Sequence, residues 1–167
     1  MIQVVVGDLA STDVDALVRP ATTALEPASS AGRALEAGAG PSFNSQFAAA
    51  SDQAVGSAVV TGGGALPAHF VIHAIIRSAQ EPTSEVGVRQ AFLSVLQRAK
   101  EWQFARIATP PLGSEPGALV METTAGIMSD LLIQHLKDSD FPSDVTIVVE
   151  SEPDRATFES FLEQSLA

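Results

Sequence analysis

Residues 1–22, MIQVVVGDLASTDVDALVRPAT, contain two apolar runs that are separated by a short polar loop. The first run, Ile2–Val6, ends at Gly7 and Asp8, and the second run is Val14–Val18. Runs of β-branched residues bounded by turn residues are typical of buried strands. Asp8 is therefore expected at the end of a strand, where open α/β sheets place groups that contact ligands.

The rest of the chain alternates between apolar runs of strand length and longer stretches with helical periodicity. Further strands are predicted over Val55–Val60, His69–Ile75, Ala105–Thr109 and Asp144–Val149. Helices are predicted over Ser29–Ala39, Ser42–Ala50, Glu85–Trp102, Gly117–Lys137 and a last segment that opens with Ser151–Asp154. Strands that alternate with helices predict a three-layer α/β/α domain with a mixed, mostly parallel sheet of six strands or slightly more.

The longer helices carry apolar faces, as Glu85–Trp102 and the last helix illustrate. In Glu85–Trp102 the face consists of Val88, Phe92, Leu96 and Ala99, with the spacing of an amphipathic helix. The last helix starts with Ser151 as a candidate cap and Pro153 in the first turn. Its predicted core face is Phe158, Phe161, Leu162 and Leu166. We expect both helices to pack on the sheet.

Composition limits the classes of function. A chain of 167 residues predicts a single domain, 1–167, with a substantial core. Its net charge of −11 repels a phosphate backbone, so we expect no nucleic-acid partner. A small anionic ligand remains compatible with this charge, because backbone N–H groups in loops and at helix N-termini bind phosphates locally.

The missing residue types and motifs narrow the chemistry further. Cysteine is absent, which removes disulfides, thiolate metal sites and cysteine nucleophiles. Three scattered histidines predict no transition-metal site, and we expect no cofactor. No apolar run is long enough to span a bilayer, and no basic leader precedes an apolar core. We therefore expect no membrane association and a cytoplasmic location, whereas the oligomeric state stays open.

Two later sequence blocks support the interpretation of Asp8 as a strand-end residue near a ligand. They are TGGGALPAHFVIH at 61–73 and TPPLGSEPGAL at 109–119. Together the three blocks resemble the macrodomain family over nearly the whole chain. The family combines a strand followed by Gly-Asp, a Thr-Gly, Leu-Pro and Val-Ile-His series, and a glycine-containing phosphate loop. The resemblance implies a macrodomain-like fold and a nucleotide ligand, ADP-ribose or a relative of it.

The resemblance also implies roles for individual residues. Asp8, with Leu9 beside it, corresponds to the position that accepts a hydrogen bond from the adenine amino group, although a turn-capping role is the alternative. The corresponding phosphate-loop residues are Leu112, Gly113, Ser114, Glu115 and Gly117. Glu115 replaces a glycine or small residue, so its carboxylate would repel a diphosphate unless it turns outward or meets an arginine. Pro116 also removes one N–H donor from the loop.

The other half of the implied site departs further from the family. Arg19 stands where an asparagine orients the distal ribose, and Thr22 retains one hydrogen-bonding group. The glycine-rich loop becomes 28–33, with Ser30, Gly32 and Arg33 as the candidate ligand contacts. Gly32 corresponds to the catalytic aspartate of hydrolase-type members, and glycine cannot position a water molecule. Ser151 lies near the position of an aromatic residue that stacks on adenine in many members.

Arg19, Arg33 and His73 each allow two interpretations. Either arginine could hold phosphate through its guanidinium. Alternatively, either could pair with a nearby acid such as Glu115 or Glu36. For His73 a hydrogen-bonded structural role is favoured over that of a catalytic base.

Three functions remain open at this point: a nucleotide binder with a degenerate site, an ADP-ribosyl or O-acetyl-ADP-ribose hydrolase, and a scaffold whose cleft is filled by its own side chains. The missing asparagine and aspartate favour the binder over the enzyme, so we predict no appreciable hydrolase activity. We also expect Asp8, Arg19 and Ser114 to line one crevice, because each follows or ends a predicted strand.

Overall fold

The computed structural model describes residues 1–47 and 51–167, and six strands and five α-helices lie within those ranges. The strands are β1 (Ile2–Val6), β2 (Ala16–Thr22), β3 (Ala58–Gly62), β4 (Phe70–Arg77), β5 (Arg106–Thr109) and β6 (Asp144–Val149). The helices are α1 (Ser30–Ala39), α2 (Pro41–Ser45), α3 (Glu85–Glu101), α4 (Met121–Asp138) and α5 (Glu152–Leu166). A short 3-10 helix, Leu9–Ser11, follows β1.

The strands form one sheet in the order β1-β6-β5-β2-β4-β3. All neighbouring pairs are parallel except β3 and β4, which form an antiparallel hairpin. The hairpin turns at Gly63, whose N–H donates to His69 O at 2.8 Å and where a Cβ would lie 2.1 Å from Ala68 O. The prediction of a mixed, mostly parallel sheet is confirmed.

Successive residues of the central strands point into two different cores, which gives the fold its three layers. Ala16 and Val18 of β2 lie in the core formed with α3, α4 and α5, whereas Leu17 faces the opposite core. That second core contains Leu35 of α1 and Phe43 of α2. Because both sheet faces are covered, the strands are apolar on both sides, as parallel sheets generally are. The predicted α/β/α arrangement is confirmed.

Several element boundaries differ from the predictions. The strand predicted over Val14–Val18 is observed over Ala16–Thr22. It begins later because the Asp15 carboxylate accepts the N–H groups of Ala105 and Arg106, both at 2.9 Å, and it continues through Arg19 instead of ending before it. The helix predicted from Gly117 begins at Met121, because Gly117 has a φ of 85° and the preceding residues form a loop. The helix predicted over Ser42–Ala50 is observed as α2, and residues 48–50 lie outside the described residues.

The apolar faces of the long helices agree with the predictions except at the chain end. Val88, Phe92, Leu96 and Ala99 of α3 are all fully buried. In α5 Phe158 is fully buried, but Leu166, which was predicted to face the core, is 70% exposed. Ser151 caps α5 by accepting the N–H of Asp154, as its sequence predicts. None of the described helices combines the length and the apolar character needed to cross a bilayer.

Candidate functional site

A cleft of about 540 Å³ lies at the edge of the sheet where the parallel strands end. The segments after β2, β5 and β6 form its walls, so groups from distant parts of the sequence converge there. The lining residues are Ala28, Ser29, Ser30, Ala31, Arg33, Arg77, Pro110, Pro111, Ser114, Glu115, Pro116, Met121, Val148, Glu150 and Asp154. Open α/β sheets bind their ligands at this edge.

The N-terminus of α1 forms one wall of the cleft. Ser29 caps the helix: its Oγ accepts the N–H of Gly32 at 3.1 Å, and its carbonyl accepts the N–H of Arg33 at 3.0 Å. The N–H groups of Ser30 and Ala31, in the first turn, have no acceptor inside the helix. Both residues line the cleft, so the positive end of the helix is directed at it.

The loop after β5 forms the opposite wall. Gly113 has a φ of 83°, and a Cβ there would lie 2.6 Å from Val88 Cγ2, so glycine is required by both conformation and packing. Leu119 N–H donates to Gly113 O at 2.9 Å and closes the loop. Ser114 lines the cleft, whereas Gly117, with a φ of 85°, faces open space. Two glycines with positive φ thus flank Ser114 and Glu115 in this loop.

The side chain of Glu115 in this loop is largely buried and is paired within the protein. Thr83 Oγ1 donates to Glu115 Oε1 at 2.7 Å, and Arg77 NH1 lies 3.5 Å from the same oxygen. Oε2 is buried without a hydrogen-bond partner among the described residues. The arginine that meets Glu115 is therefore Arg77, at the end of β4, and neither Arg19 nor Arg33.

The structure does not bring Arg19 to the cleft, which corrects the expectation that Arg19 and Ser114 share one crevice. Its side chain is fully buried, and NH2 donates to Glu36 Oε2 at 3.0 Å and to Leu25 O at 2.9 Å. Burial lowers the pKa of Arg19, and the charge of Glu36 opposes that shift. Of the two interpretations, the structure shows the ion pair: the Arg19 side chain points into the protein, where Glu36 reaches it from α1.

His73 continues this buried network. Arg19 NH1 donates to His73 Nδ1 at 2.8 Å, so the proton of the neutral ring is on Nε2, which lies 2.7 Å from Thr61 Oγ1. The ring packs against Phe43 and Phe47 with centroid distances of 5.6 and 5.2 Å. Burial, and then the charge of Arg19, lower the pKa of His73 to about 3. Such an imidazole is a weak base away from the cleft, in agreement with the structural interpretation.

Asp8 also lies outside the residues that line the cleft. Its carboxylate accepts the N–H of Ala10 and the hydroxyl of Ser11, and it caps the 3-10 helix. It is nevertheless close to the cleft in the fold, because Gly7 N–H donates to Val149 O at 3.2 Å and Glu150 lines the cleft. The backbone at the end of β1 thus runs beside the end of β6, while the exposed Asp8 carboxylate is hydrogen-bonded within its own turn.

The remaining predicted residues divide between the cleft and the core. Ser30 and Arg33 line the cleft, and Ser30 Oγ donates to Glu150 Oε1 at 3.1 Å. Leu9 and Leu112 are buried in the two cores, and the Thr22 hydroxyl accepts the N–H of Glu26 at 3.3 Å in a turn. These three side chains contribute to packing and turn formation.

Gly32 is buried beneath the cleft wall. A Cβ there would lie 3.2 Å from Pro20 O and 3.3 Å from Pro27 Cβ. These contacts are tight, and the nearer one is to backbone, so a larger side chain at this position would require the chain around Pro20 and Pro27 to shift. The glycine is therefore part of the packing between α1 and β2.

Sequence reasoning missed three charged residues in the cleft: Arg77, Glu150 and Asp154. Arg77 ends β4 and Glu150 follows β6, so the rule that pointed to Asp8 would also have found them. Asp154 has no comparable signal, because it lies in the first turn of α5. Within the described residues no group of three or more His, Asp or Glu side chains is arranged to hold a metal ion.

The fold and the strand-end cleft define an α/β domain of the class that places its site at the carboxyl edge of the sheet. The model of the Macro domain family matches residues 18–128, well over half of the chain, and the chain belongs to this family. The resemblance seen in the sequence is confirmed.

Relatives and solved structures show how this chain relates to its family. An uncharacterized protein of Aeropyrum pernix is 31% identical over 128 residues, which cover 75% of this chain and 67% of that protein. An O-acetyl-ADP-ribose deacetylase of Enterobacter is 27% identical over 169 residues, which cover 98% of this chain and 94% of that protein. A mutant Oceanobacillus iheyensis macrodomain with ADPR superimposes with a TM-score of 0.84 at 22% identity. The superposition covers 98% of this chain and 92% of that macrodomain. The chain spans 36% of the length of an uncharacterized Mycobacterium tuberculosis relative.

Proposed function

We propose that this protein binds ADP-ribose, or a closely related nucleotide, in the cleft between the N-terminus of α1 and the loop Gly113–Gly117. The observation that carries the proposal is the cleft itself, which has about 540 Å³ of space at the carboxyl edge of the sheet. This volume lies within the roughly 300–1,000 Å³ of small-molecule sites. The fold family includes structures with ADP-ribose, such as the Trypanosoma brucei macrodomain complex.

The proposed phosphate contacts are backbone N–H groups and short polar side chains. Ser30 and Ala31 present N–H groups at the positive end of α1, which favours an anion. Ser114 offers a hydroxyl from the opposite wall, and the exposed Arg33 offers a guanidinium. These contacts are fewer than a loop without Glu115 and Pro116 would offer to a phosphate. We therefore expect weak binding of ADP-ribose. Calorimetric titration with ADP-ribose tests the proposal, and an absence of binding would contradict it.

Asp8 is the proposed contact for adenine, since a carboxylate accepts the hydrogen bond that the exocyclic amino group donates. Asp8→Ala is expected to weaken ADP-ribose binding by about 1.5–3 kcal/mol, the range for hydrogen bonds to charged groups. Calorimetry on the two proteins measures this difference. The control is Asp13→Ala, which removes an exposed carboxylate outside the residues that line the cleft. If wild type and Asp8→Ala bind ADP-ribose with equal affinity, Asp8 does not contact adenine and only caps the 3-10 helix.

We expect no appreciable hydrolysis of ADP-ribose from glutamate-modified protein. Positioned acid–base groups contribute about 10²–10⁴-fold to the rate, and Gly32 stands where the resemblance implies the acid. The tight contacts of Gly32 with Pro20 and Pro27 leave little room for a longer side chain. The assay follows release of ADP-ribose at high protein concentration. Turnover that matches an active macrodomain hydrolase would overturn this expectation and indicate catalysis assisted by the substrate.

A further inference from the structure

We infer that Glu115 is a specificity-determining residue: its carboxylate lowers the affinity of the cleft for the diphosphate of ADP-ribose and leaves the affinity for adenosine nearly unchanged. The inference rests on the proposed function, because it concerns the same cleft. The cleft discriminates between ligands by the negative charge that they bring to the loop 113–117. Among nucleotides with the same base, Glu115 weakens the binding of those with more phosphates. It therefore shifts the preference of the cleft towards ligands with fewer phosphates.

The Glu115 side chain belongs to the wall of the cleft in which the diphosphate is proposed to bind. Glu115 lies between the two glycines of positive φ, Gly113 and Gly117, and it lines the cleft together with Ser114. Its side chain is only 8% exposed, so water screens its charge poorly. A diphosphate held by Ser114 and the α1 N-terminus would therefore lie close to a poorly screened negative charge.

The partners of Glu115 neutralise its charge incompletely. Thr83 Oγ1 and Arg77 NH1 both contact Oε1, at 2.7 and 3.5 Å. Oε2 is buried and has no hydrogen-bond partner within the described residues. The contact with Arg77 is long and involves a single oxygen, and the Arg77 side chain is 36% exposed. A bidentate ion pair would neutralise the carboxylate more fully.

Acidic side chains outnumber basic ones in the lining of the cleft. Its lining includes three acids, Glu115, Glu150 and Asp154, against two arginines, Arg33 and Arg77. Glu150 accepts a hydrogen bond from Ser30, so this acid also lies near the N-terminus of α1. Since Glu115 is the acid within the loop that faces the phosphates, removing its charge affects a diphosphate far more than an uncharged nucleoside.

The test compares ADP-ribose and adenosine on wild type and Glu115→Gln, which removes the charge and keeps the shape. Two unit charges about 6 Å apart interact strongly enough at a protein surface to change affinity by roughly ten- to a hundredfold. We expect Glu115→Gln to bind ADP-ribose about tenfold or more tightly than wild type and adenosine within about twofold. Calorimetry measures ADP-ribose, and ligand-observed NMR titration covers weak adenosine binding.

The matched control is Glu122→Gln, because Glu122 is exposed in the first turn of α4 and does not line the cleft. It makes the same change in net charge, and we expect both ligands to bind within about twofold of wild type. Thermal unfolding checks that each variant is folded. If Glu115→Gln is not, Glu115→Ala replaces it, since it also removes the charge.

The outcomes separate this inference from the proposed function. Equal affinities of wild type and Glu115→Gln for ADP-ribose would overturn the inference and leave the proposed function standing. Binding of ADP-ribose to Glu115→Gln but not to wild type would support the inference and contradict the proposed function. An equal gain for adenosine and ADP-ribose would overturn the inference, because a charge effect distinguishes the two ligands. Binding to neither protein would overturn both.

Discussion

Lowering the pH from 7 to 4 is expected to reduce the free energy of unfolding by roughly 3 kcal/mol through His73 alone. Burial and the charge of Arg19 lower the pKa of His73 from 6.5 to about 3. Between these two values the unfolded chain binds a proton at this residue and the folded protein does not. Stability from His73 is therefore fully present above pH 6.5 and is lost as the pH falls towards 3.

The measurement is urea unfolding at several pH values for wild type and His73→Gln, which cannot titrate. Each pH unit changes the contribution of His73 by up to about 1.4 kcal/mol. The wild type is expected to lose stability more steeply than His73→Gln between pH 6 and 4. His69→Gln is the control, because His69 is exposed just before β4, and it should retain the wild-type slope. If the free energies of unfolding of wild type and His73→Gln change with pH at the same rate, His73 titrates equally in the folded and the unfolded protein, and the prediction is wrong.

Glu36→Ala is expected to destabilise the fold by about 3 kcal/mol, because it removes the counter-ion of a fully buried arginine. Breaking a buried ion pair by removing one partner typically costs about 3–5 kcal/mol, since the other charge stays buried. The Glu36 side chain is 25% exposed, so water can partly replace it, and the lower end of that range applies. The lost contacts are the one with Arg19 NH2 at 3.0 Å and the one with Asn44 Nδ2 at 2.8 Å.

Chemical unfolding of Glu36→Ala against Glu101→Ala tests this expectation. Glu101 pairs with Arg98 at 2.7 Å, but its side chain is 58% exposed, and exposed pairs contribute about 0–1 kcal/mol. We expect the two variants to differ by about 2 kcal/mol or more. A loss below about 1 kcal/mol in Glu36→Ala would mean that Leu25 O and His73 suffice to hold the charge of Arg19.

Much of the fold could be predicted because its signals are local. β-branched runs such as Ile2–Val6 and Asp144–Val149 mark strands directly, and both were predicted with their observed bounds. The apolar face of α3 was also predicted, since helical periodicity is visible within one segment. The start of α4 was predicted four residues too early, because a helical pattern does not reveal that Gly117 adopts a positive φ.

The site was predicted less completely, and the arginines show why. The sequence placed Arg19 just after the strand predicted over Val14–Val18, whereas the observed β2 continues through Arg19 to Thr22. Whether it faces a cleft or the interior depends on Glu36 and His73, which are 17 and 54 residues away. Arg77 pairs with Glu115 across 38 residues, and no local pattern indicates that pair.

By itself the sequence determined the alternation of strands and helices, the family and the loop glycines, because periodicity and backbone conformation are properties of short segments. Only the tertiary structure decided which charges face the cleft and which are buried. Packing two layers of helices on the sheet enclosed Arg19 with Glu36 and left Arg33 exposed at the cleft. The physical reason is that the burial of a charge is set by the elements that surround it, and those elements come from distant parts of the chain.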